Sequence, residues 1–598
     1  MEIREDLASQ KRRAAIALVA VILAFGGIQL RLGQLQLIEG STWRRLAENN
    51  RLRRIPLMSP RGRIYDRRGI VLSDNVPTWD LLLFPDEARD VDRTILFLAQ
   101  MGIANAVELR ERVAERRLAK LAPLVIADDL DWQQVARIRS RQSDHPELAV
   151  VSGFRRHYPL ADTTAHVVGH LRMISRSELE QTPDLDQNTL VGANGIEALW
   201  NDFLSGSDGE RFVVVSAVGR QIGVVRERPA EAGRDLGTTL DSRLQQIASA
   251  ALGEEAGTVV ALDATSGAIR VLYSSPSFDP SLFAGRLSRI QWQELSSDPE
   301  HPLQDRSLQG VYPPGSTIKP FFTMAGLAEG EIAADTTITC RGGVTIYGHR
   351  FRCWRRGGHG VVNTLRSLEV SCDPFYYQLG YRMGIERMAE WLALFGFGQP
   401  TGIGLVPENT GLVGTPEWSR RVRGTPWYPG EAISVAIGQG PMLATPLQLA
   451  RAYAALANGG WLISPHLVES ARLPEPIDLH LDHENLALVK QGLELVVHGS
   501  RGTARAQKRL PMAGKTGTAQ VARLQDGVDS DDLPRHLRHH ALFVGWAPLD
   551  HPRLVVAAVV EHGGGGASSA APVVAKVIEA AMAEWDLPSP AHPGDVNR

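Results

Sequence analysis

A serine and a lysine stand three residues apart at a break in the chain, in Tyr312-Pro313-Pro314-Gly315-Ser316-Thr317-Ile318-Lys319-Pro320. Pro313, Pro314 and Gly315 mark an element boundary, because neither residue type sits cheaply inside a helix. Pro320 is tolerated in a first turn, whose N–H groups lack helical partners. The pattern predicts a helix start with Ser316 and Lys319 on one face. A serine hydroxyl is a weak nucleophile near neutral pH until a base takes its proton. An amine becomes that base when burial or a second cation lowers its pKa. The pair therefore suits acyl transfer. A lone Ser-x-x-Lys match arises by chance in a chain of 598 residues, and on its own reads as a surface helix. Two further groups give it weight: Ser371-Cys372-Asp373 and Lys515-Thr516-Gly517-Thr518.

The three cysteines, Cys340, Cys353 and Cys372, fall in one window that also holds His359. Three thiolates and an imidazole make a tetrahedral zinc set of the structural, closed kind, although the spacing is wider than a zinc finger's. A disulfide with one leftover thiol and a set of buried inert thiols are the alternatives. His349 competes with His359 for the imidazole role. His536, His539 and His540 read as a solvated loop.

These groups need elements to hold them. A new unit opens near Thr238-Thr239-Leu240-Asp241. Residues 244–252 suit an amphipathic helix, and 257–273 a strand, a turn at Thr265-Ser266-Gly267 and a second strand. Helices are expected after Ser316 and over 383–396, 446–458 and 573–585, and strands over 542–547 and 554–560. Strands flanking a helical middle predict an α+β unit. Upstream, Arg61 to Gly69 reads as strand, turn, strand, and about 90–145 is rich in Leu, Ala, Arg and Glu at helical spacing. Arg156-His157-Tyr158-Pro159, Ala165-His166-Val167-Val168-Gly169 and Gly192-Ala193-Asn194-Gly195-Ile196-Glu197 read as structural strands and turns. The last dozen residues have the composition of a disordered tail. There are no internal repeats.

A chain of this length exceeds one hydrophobic core, so two or more domains are expected. It is 43% hydrophobic and 22% charged, and its formal net charge of −3 gives no sign of nucleic-acid binding. Ala14 to Leu30 is apolar apart from Gln29, slightly short of a spanning length, with the pattern continuing through Leu32, Leu35 and Leu37. Lys11, Arg12 and Arg13 before it favour a cytoplasmic N-terminus, and Arg31, Arg44 and Arg45 after it keep the asymmetry modest. A cleaved signal peptide is the rival, but no small-x-small cleavage site follows. The reading is a single anchor, with nearly all else beyond an inner membrane.

The order Ser-x-x-Lys, Ser-x-Asp, Lys-Thr-Gly is the motif set of penicillin-binding proteins and serine β-lactamases. Over nearly its whole length the chain resembles the class B penicillin-binding proteins, closest to their elongation-type members. The anchor, R-G-x-I-x-D-R-x-G, R-x-Y-P, A-H-x-x-G and G-x-x-G-I-E match the family's non-catalytic pedestal in order. Y-P-P-G-S-T-I-K-P, S-C-D, Trp427-Tyr428-Pro429-Gly430-Glu431, Ile437-Gly438-Gln439-Gly440, Thr445-Pro446 and K-T-G-T-A-Q match its transpeptidase domain. Asp373 stands where the wider superfamily usually has Asn, as in the elongation-type subgroup.

The resemblance implies an α+β protein: a cytoplasmic tail (1–13), a transmembrane helix (14–34), an elongated pedestal (35–236), a transpeptidase domain with an antiparallel sheet, flanking helices and a helical subdomain (237–586), and a disordered tail (587–598). It implies D,D-transpeptidation of peptidoglycan stem peptides in cell elongation, inhibited by β-lactams. Ser316 would attack the penultimate D-Ala carbonyl, with Lys319 as its base, Ser371 relaying the proton and Asp373 holding Ser371 and the lysines. Lys515 and Thr516 would bind the substrate's terminal carboxylate. Gly517 would admit the substrate backbone, and the N–H groups of Ser316 and Thr518 would form the oxyanion hole. A zinc ion on Cys340, Cys353, His359 and Cys372 is likewise implied. No glycosyltransferase motif precedes the pedestal, so glycan polymerisation is expected from a RodA-type membrane polymerase, with rod-complex scaffold proteins as further partners. The alternatives are a D-Ala-D-Ala carboxypeptidase or β-lactamase-type hydrolase, and a membrane β-lactam sensor. Sensors of that kind resemble proteins with several spanning segments, whereas this chain shows one.

Overall fold

The structure is a computed structural model of the chain. It describes residues 2–38, 52–116, 123–182, 189–216, 221–285, 287, 289–469, 473–521 and 532–585, so the expected disordered tail lies outside the described residues. The chain forms two compact units: Met1–Ser59, Pro77–Phe154 and Ser207–Glu231 make the first, and Pro60–Val76, Arg155–Gly206 and Ala232–Arg598 the second. Compactness thus does not follow the expected sequential cut at 236/237. Residues 60–76 and 155–206 belong with the C-terminal residues because hydrogen bonds tie them there. Asp66 Oδ2 accepts from Ser242 Oγ at 2.7 Å, Arg67 Nε donates to Asp241 Oδ2 at 2.7 Å, and Gln245 Nε2 donates to Thr163 O at 2.9 Å.

The first unit begins with a helix over Glu2–Gly33 and a π-helical turn over Gln34–Ile38. Its apolar stretch Lys11–Leu37, 27 residues and wholly unburied, is longer than the expected 14–34. A three-stranded antiparallel sheet places Gly209–Val215 between Leu52–Leu57 and Gln221–Arg228. The region 90–145 is not helical throughout. Helices Val91–Gln100, Ala106–Arg116 and Trp132–Ser140 are interrupted by a strand, Leu124–Ala127, paired with Leu81–Leu83. Leu124-Val125-Ile126 is a short apolar run, which pairs as a strand once Leu81 and Leu83 offer an edge; helical spacing does not register it. Leu81, Leu83, Ile95, Leu98, Leu124, Ile126 and Ile138 form the core.

In the second unit the R-G-R-I-Y-D-R-R-G segment makes the expected turn. Asp66 Oδ1 accepts from the N–H groups of Arg68 and Ile70 at 2.8 Å each, between strands Ile64–Tyr65 and Val71–Leu83. The unit is built on a five-stranded antiparallel sheet of β1 (Gly257–Asp263), β2 (Ile269–Ser275), β3 (Ala513–Ala519), β4 (His540–Ala547) and β5 (Leu554–Val560), in the order β2-β1-β5-β4-β3. Helices α1 (Ser242–Leu252) and α6 (Ala571–Met582) cover one face through Leu244, Leu252, Val573 and Ile578. The other face meets a helical group: α2 (Lys319–Ala328), α3 (Asp373–Leu394), α4 (Pro446–Ala457) and α5 (His483–His498). Every residue of α4 is buried, and a capping box of Thr445 and Gln448 starts it. Helix α3 begins at Asp373 rather than near 383, because Asp373 and Pro374 suit a helix start. Gly384, at φ 75°, kinks it where the expected helix began.

Candidate active site

The edge strand β3 and the turn before α2 make one wall. Residues Gly315–Ile318 form a single 3-10 turn ahead of α2, and Ser316 is the residue of Gly315–Lys319 that is not buried. Gly315 has a left-handed backbone (φ 54°), and a Cβ on it would stand 2.6 Å from Thr518 O, so only glycine lets the turn lie against β3. A Cβ on Gly517 would meet Thr317 Cγ2 at 2.8 Å and Pro314 O at 3.0 Å. The lack of a side chain at Gly517 thus lets the Ser316 turn pack closely against β3. From α4, Tyr453 Oη donates to Thr317 O at 2.7 Å and pins the turn.

Lys319 is fully buried. Its Nζ donates to Asp373 Oδ1 at 2.6 Å and to Ser371 Oγ and Ser371 O at 3.1 Å each, which uses all three hydrogens of an ammonium. The Tyr376 ring lies beneath it, 5.2 Å from Nζ. Ser371 is held at φ 52°, a left-handed conformation that costs a non-glycine residue about 1–3 kcal/mol. Bonds on both sides enforce it: Cys372 N donates to Ser367 O at 2.9 Å and Trp354 Nε1 to Ser371 O at 3.1 Å. The other Asp373 oxygen, Oδ2, accepts from Trp354 N at 2.9 Å.

Lys515 is also fully buried, and its Nζ donates to Thr516 O at 3.1 Å. Burial first, and then the charge of Lys319, hold its pKa well below the ordinary lysine value, with Asp373 opposing. Lys515 is thus a depressed amine, and Lys319 is the lysine bonded to the carboxylate. The Thr516 hydroxyl is 2.7 Å from the Thr503 hydroxyl, so the protein already engages it. Gln439 Nε2 donates to Thr518 O at 3.1 Å.

Cys340, Cys353, His359 and Cys372 come together: their ligand atoms lie within 4.8 Å of one another and all four residues are buried. His359 Nδ1 is 3.7 Å from Cys340 Sγ and 3.5 Å from Cys353 Sγ. A tetrahedral zinc with ordinary bond lengths sets its S···N edges at about 3.6 Å. The cysteines are free thiols, so no disulfide joins them. The Cys353 thiol is pushed down to about 5, chiefly by its hydrogen bond with Cys372, and the same contact pushes Cys372 up. His349 is exposed on the strand His349–Arg352 and takes no part.

A family model described as the penicillin binding protein transpeptidase domain matches residues 257–579, and one described as the penicillin-binding protein dimerisation domain matches 56–238. The chain is 34% identical to the peptidoglycan D,D-transpeptidase MrdA of Haemophilus influenzae, over 95% of this chain and 91% of that protein. This chain belongs to the class B penicillin-binding proteins of the PBP2 type. A PBP2–MreC complex from Helicobacter pylori matches this penicillin-binding protein with a TM-score of 0.78 and 25% identity, over 90% of this chain and 99% of that one. A chain from a peptidoglycan synthase complex that coordinates polymerization and crosslinking matches with a TM-score of 0.69 and 30% identity, over 97% and 99%.

Within this penicillin-binding protein, sequence reasoning passed over Trp354, Thr503 and Tyr453. Trp354 could have been found from its place beside Cys353; the other two carry no local signal. Gln439 lay inside a quoted motif but had no role. The histidine loop needs correction. His536 is exposed, but His539 is buried and His540 opens β4, where its Nδ1 accepts from His562 N at 3.0 Å. Burial and His562 push His540 down to about 4.

Proposed function

We infer that this peptidoglycan D,D-transpeptidase of cell elongation carries its acyl group on Ser316, with Lys319, Ser371, Asp373 and Lys515 handling the proton. The observation that carries the assignment is the single Lys319 ammonium, bonded at once to Ser371 and Asp373 and on the same turn as Ser316. We assign the resting proton of the lysine pair to Lys319 because its Nζ donates to Asp373 and Ser371 at once, whereas burial lowers the pKa of Lys515. A substrate carboxylate arriving at Lys515 favours its ammonium, so the proton moves from Lys319 to Lys515. The freed Lys319 amine takes the Ser316 proton as Oγ bonds to the penultimate D-Ala carbonyl carbon. When the C–N bond breaks, the proton passes through the Ser371 hydroxyl to the leaving D-Ala nitrogen. An acceptor amine then attacks the ester carbonyl, and its proton passes through Lys319 to Ser316 Oγ as the ester C–O bond breaks, restoring the hydroxyl. The Ser316 and Thr518 N–H groups stabilise the oxyanion, each donor worth about 2.7–4 kcal/mol. Labelled penicillin on the full chain should map to the Ser316 peptide; a label on any other serine overturns the assignment.

A zinc ion on Cys340, Cys353, His359 and Cys372 fits this site, because the donor set and its edges match a tetrahedral thiolate–imidazole shell. It would supply rigidity and no chemistry on the substrate: Cys353 precedes Trp354, which holds Asp373, and Cys372 lies between Ser371 and Asp373. Protein purified without added metal should hold about one zinc, and Cys372→Ser should lose it together with thermal stability. Less than about 0.2 zinc per chain would sink the proposal.

The helix Lys11–Leu37 suits a single-pass inner-membrane anchor, N-terminus in the cytoplasm and catalytic unit in the periplasm. Protease added to spheroplasts should digest the catalytic unit and spare a short N-terminal fragment. The matches to an MreC complex and to a synthase complex support assembly with a scaffold of that kind and with a RodA-type polymerase.

A further inference from the structure

Between Thr336 and Leu368 the chain has six arginines and no acidic residue, against a net charge of −3 overall. Arg341, Arg350, Arg355 and Arg356 are exposed and form no ion pair among the described residues. This contrasts with Arg423 nearby in sequence to the Trp427-Tyr428-Pro429 segment, which is neutralised by Glu431. The same segment exposes aromatic rings. Trp354 is 59% exposed yet held by its N–H groups to Asp373, Val370 and Ser371, so its face is presented rigidly. Tyr347, 62% exposed, stands edge-on to Tyr381 and keeps a left-handed backbone (φ 51°). Beside it a cavity of about 450 Å³ is walled by Ile346, Tyr347, Phe351 and Pro429.

The surface is continuous with the catalytic groups. Trp354 is two hydrogen bonds from Lys319, through Asp373. Tyr377, one turn into α3 from Asp373, donates to Arg352 O at 3.1 Å. Rigid tryptophan and tyrosine faces with unpaired arginines are the composition of a binding surface for an anionic partner. A transpeptidase needs two substrates, and Lys515 accounts for only the donor's carboxylate.

We propose that this arginine- and aromatic-bearing surface over residues 341–356 docks the acceptor, a peptide-bearing glycan strand whose carboxylates meet Arg350, Arg355 and Arg356. The proposal rests on the acyl-enzyme reading above, and penicillin labelling of Ser316 tests that reading separately.

The test uses the full chain loaded from a D-alanyl thioester and offered two acceptors: free D-alanine and uncross-linked peptidoglycan strands. The double variant Arg355→Glu/Arg356→Glu should lower transfer to strands at least tenfold and remove its sensitivity to salt. Transfer to free D-alanine and labelling by penicillin should stay within twofold. Arg355→Lys/Arg356→Lys should retain strand transfer, and Tyr347→Ala should reduce it. Parallel loss of both transfers would make the arginines part of the catalytic fold and overturn the proposal. Unchanged strand transfer would also overturn it, and would leave the surface to a protein partner.

Discussion

Around Glu197 two arginines, Arg61 and Arg156, close on one carboxylate; at Asp373 one lysine, Lys319, bonds to the carboxylate and a second, Lys515, feels the charge of both. Arg61 Nε donates to Glu197 Oε2 at 2.6 Å and Arg156 Nε to Glu197 Oε1 at 2.7 Å, with Glu197 fully buried. Further bonds from Arg61 to Asn201 and from Arg156 to Asn75 spread the load. Both sites count two cations to one carboxylate, yet guanidinium keeps its proton in proteins while a buried ammonium can lose it. The first site can only hold its strands and turns. In the second, one carboxylate satisfies Lys319 and leaves Lys515 with a burial cost that its proton can relieve by leaving. The contrast shows that charge count does not make a catalytic site; the titratability of the cation does.

The comparison breaks most visibly at Lys319. Lys319→Met should cut the rate of acylation by labelled penicillin by about 10²–10⁴-fold while the protein stays folded, as expected for removal of a general base. A loss under tenfold would mean that another group takes the Ser316 proton. The arginine site should answer in the opposite currency. Glu197→Gln leaves two buried guanidinium groups without their countercharge and should destabilise the chain by about 3–5 kcal/mol, read by chemical denaturation. Acylation by the folded fraction should remain within twofold, and a selective rate loss would tie this cluster to the chemistry.

The pH dependence sharpens the difference. A cation whose pKa is depressed is protonated only below that lowered value. Below it both lysines carry protons and neither can act as base; above it the pair shares one. Acylation should therefore rise with pH through a midpoint well below the ordinary lysine value. Lys515→Arg replaces the titrating amine with a cation that keeps its proton, so the limb at that midpoint should disappear. An unmoved limb would dissociate Lys515 from the proton. The smallest effect is expected at Thr503→Val. It removes one hydroxyl partner from Thr516, about 1 kcal/mol, and should weaken acylation efficiency by about fivefold or less.

How much was legible differs by residue. The helix start at Ser316 was readable because proline and glycine punctuate locally, and β1 and β2 because their apolar run is broken by Thr265-Ser266-Gly267. The strand Leu124–Ala127 was not, since its identity depends on pairing with Leu81–Leu83, far away in the chain. The early start of α3 and the two-residue extension of β4 back to His540 were not legible for the same reason: element ends take their state from neighbours. Gly517 is legible as a glycine, but that the Ser316 turn packs against it is decided by folding.

By itself the sequence determined the nucleophile–base pair, the order of the three motifs, the cysteine window and the apolar N-terminal stretch, because spacing, punctuation and composition are local properties. Only the tertiary structure decided that burial depresses the Lys515 amine while Asp373 bonds to Lys319, that His359 rather than His349 joins the thiols, and that Trp354 ties the cysteine cluster to Asp373. Each of these turns on burial or on a contact between segments remote in the chain, and a residue's chemistry follows from which charges and dipoles surround it after folding.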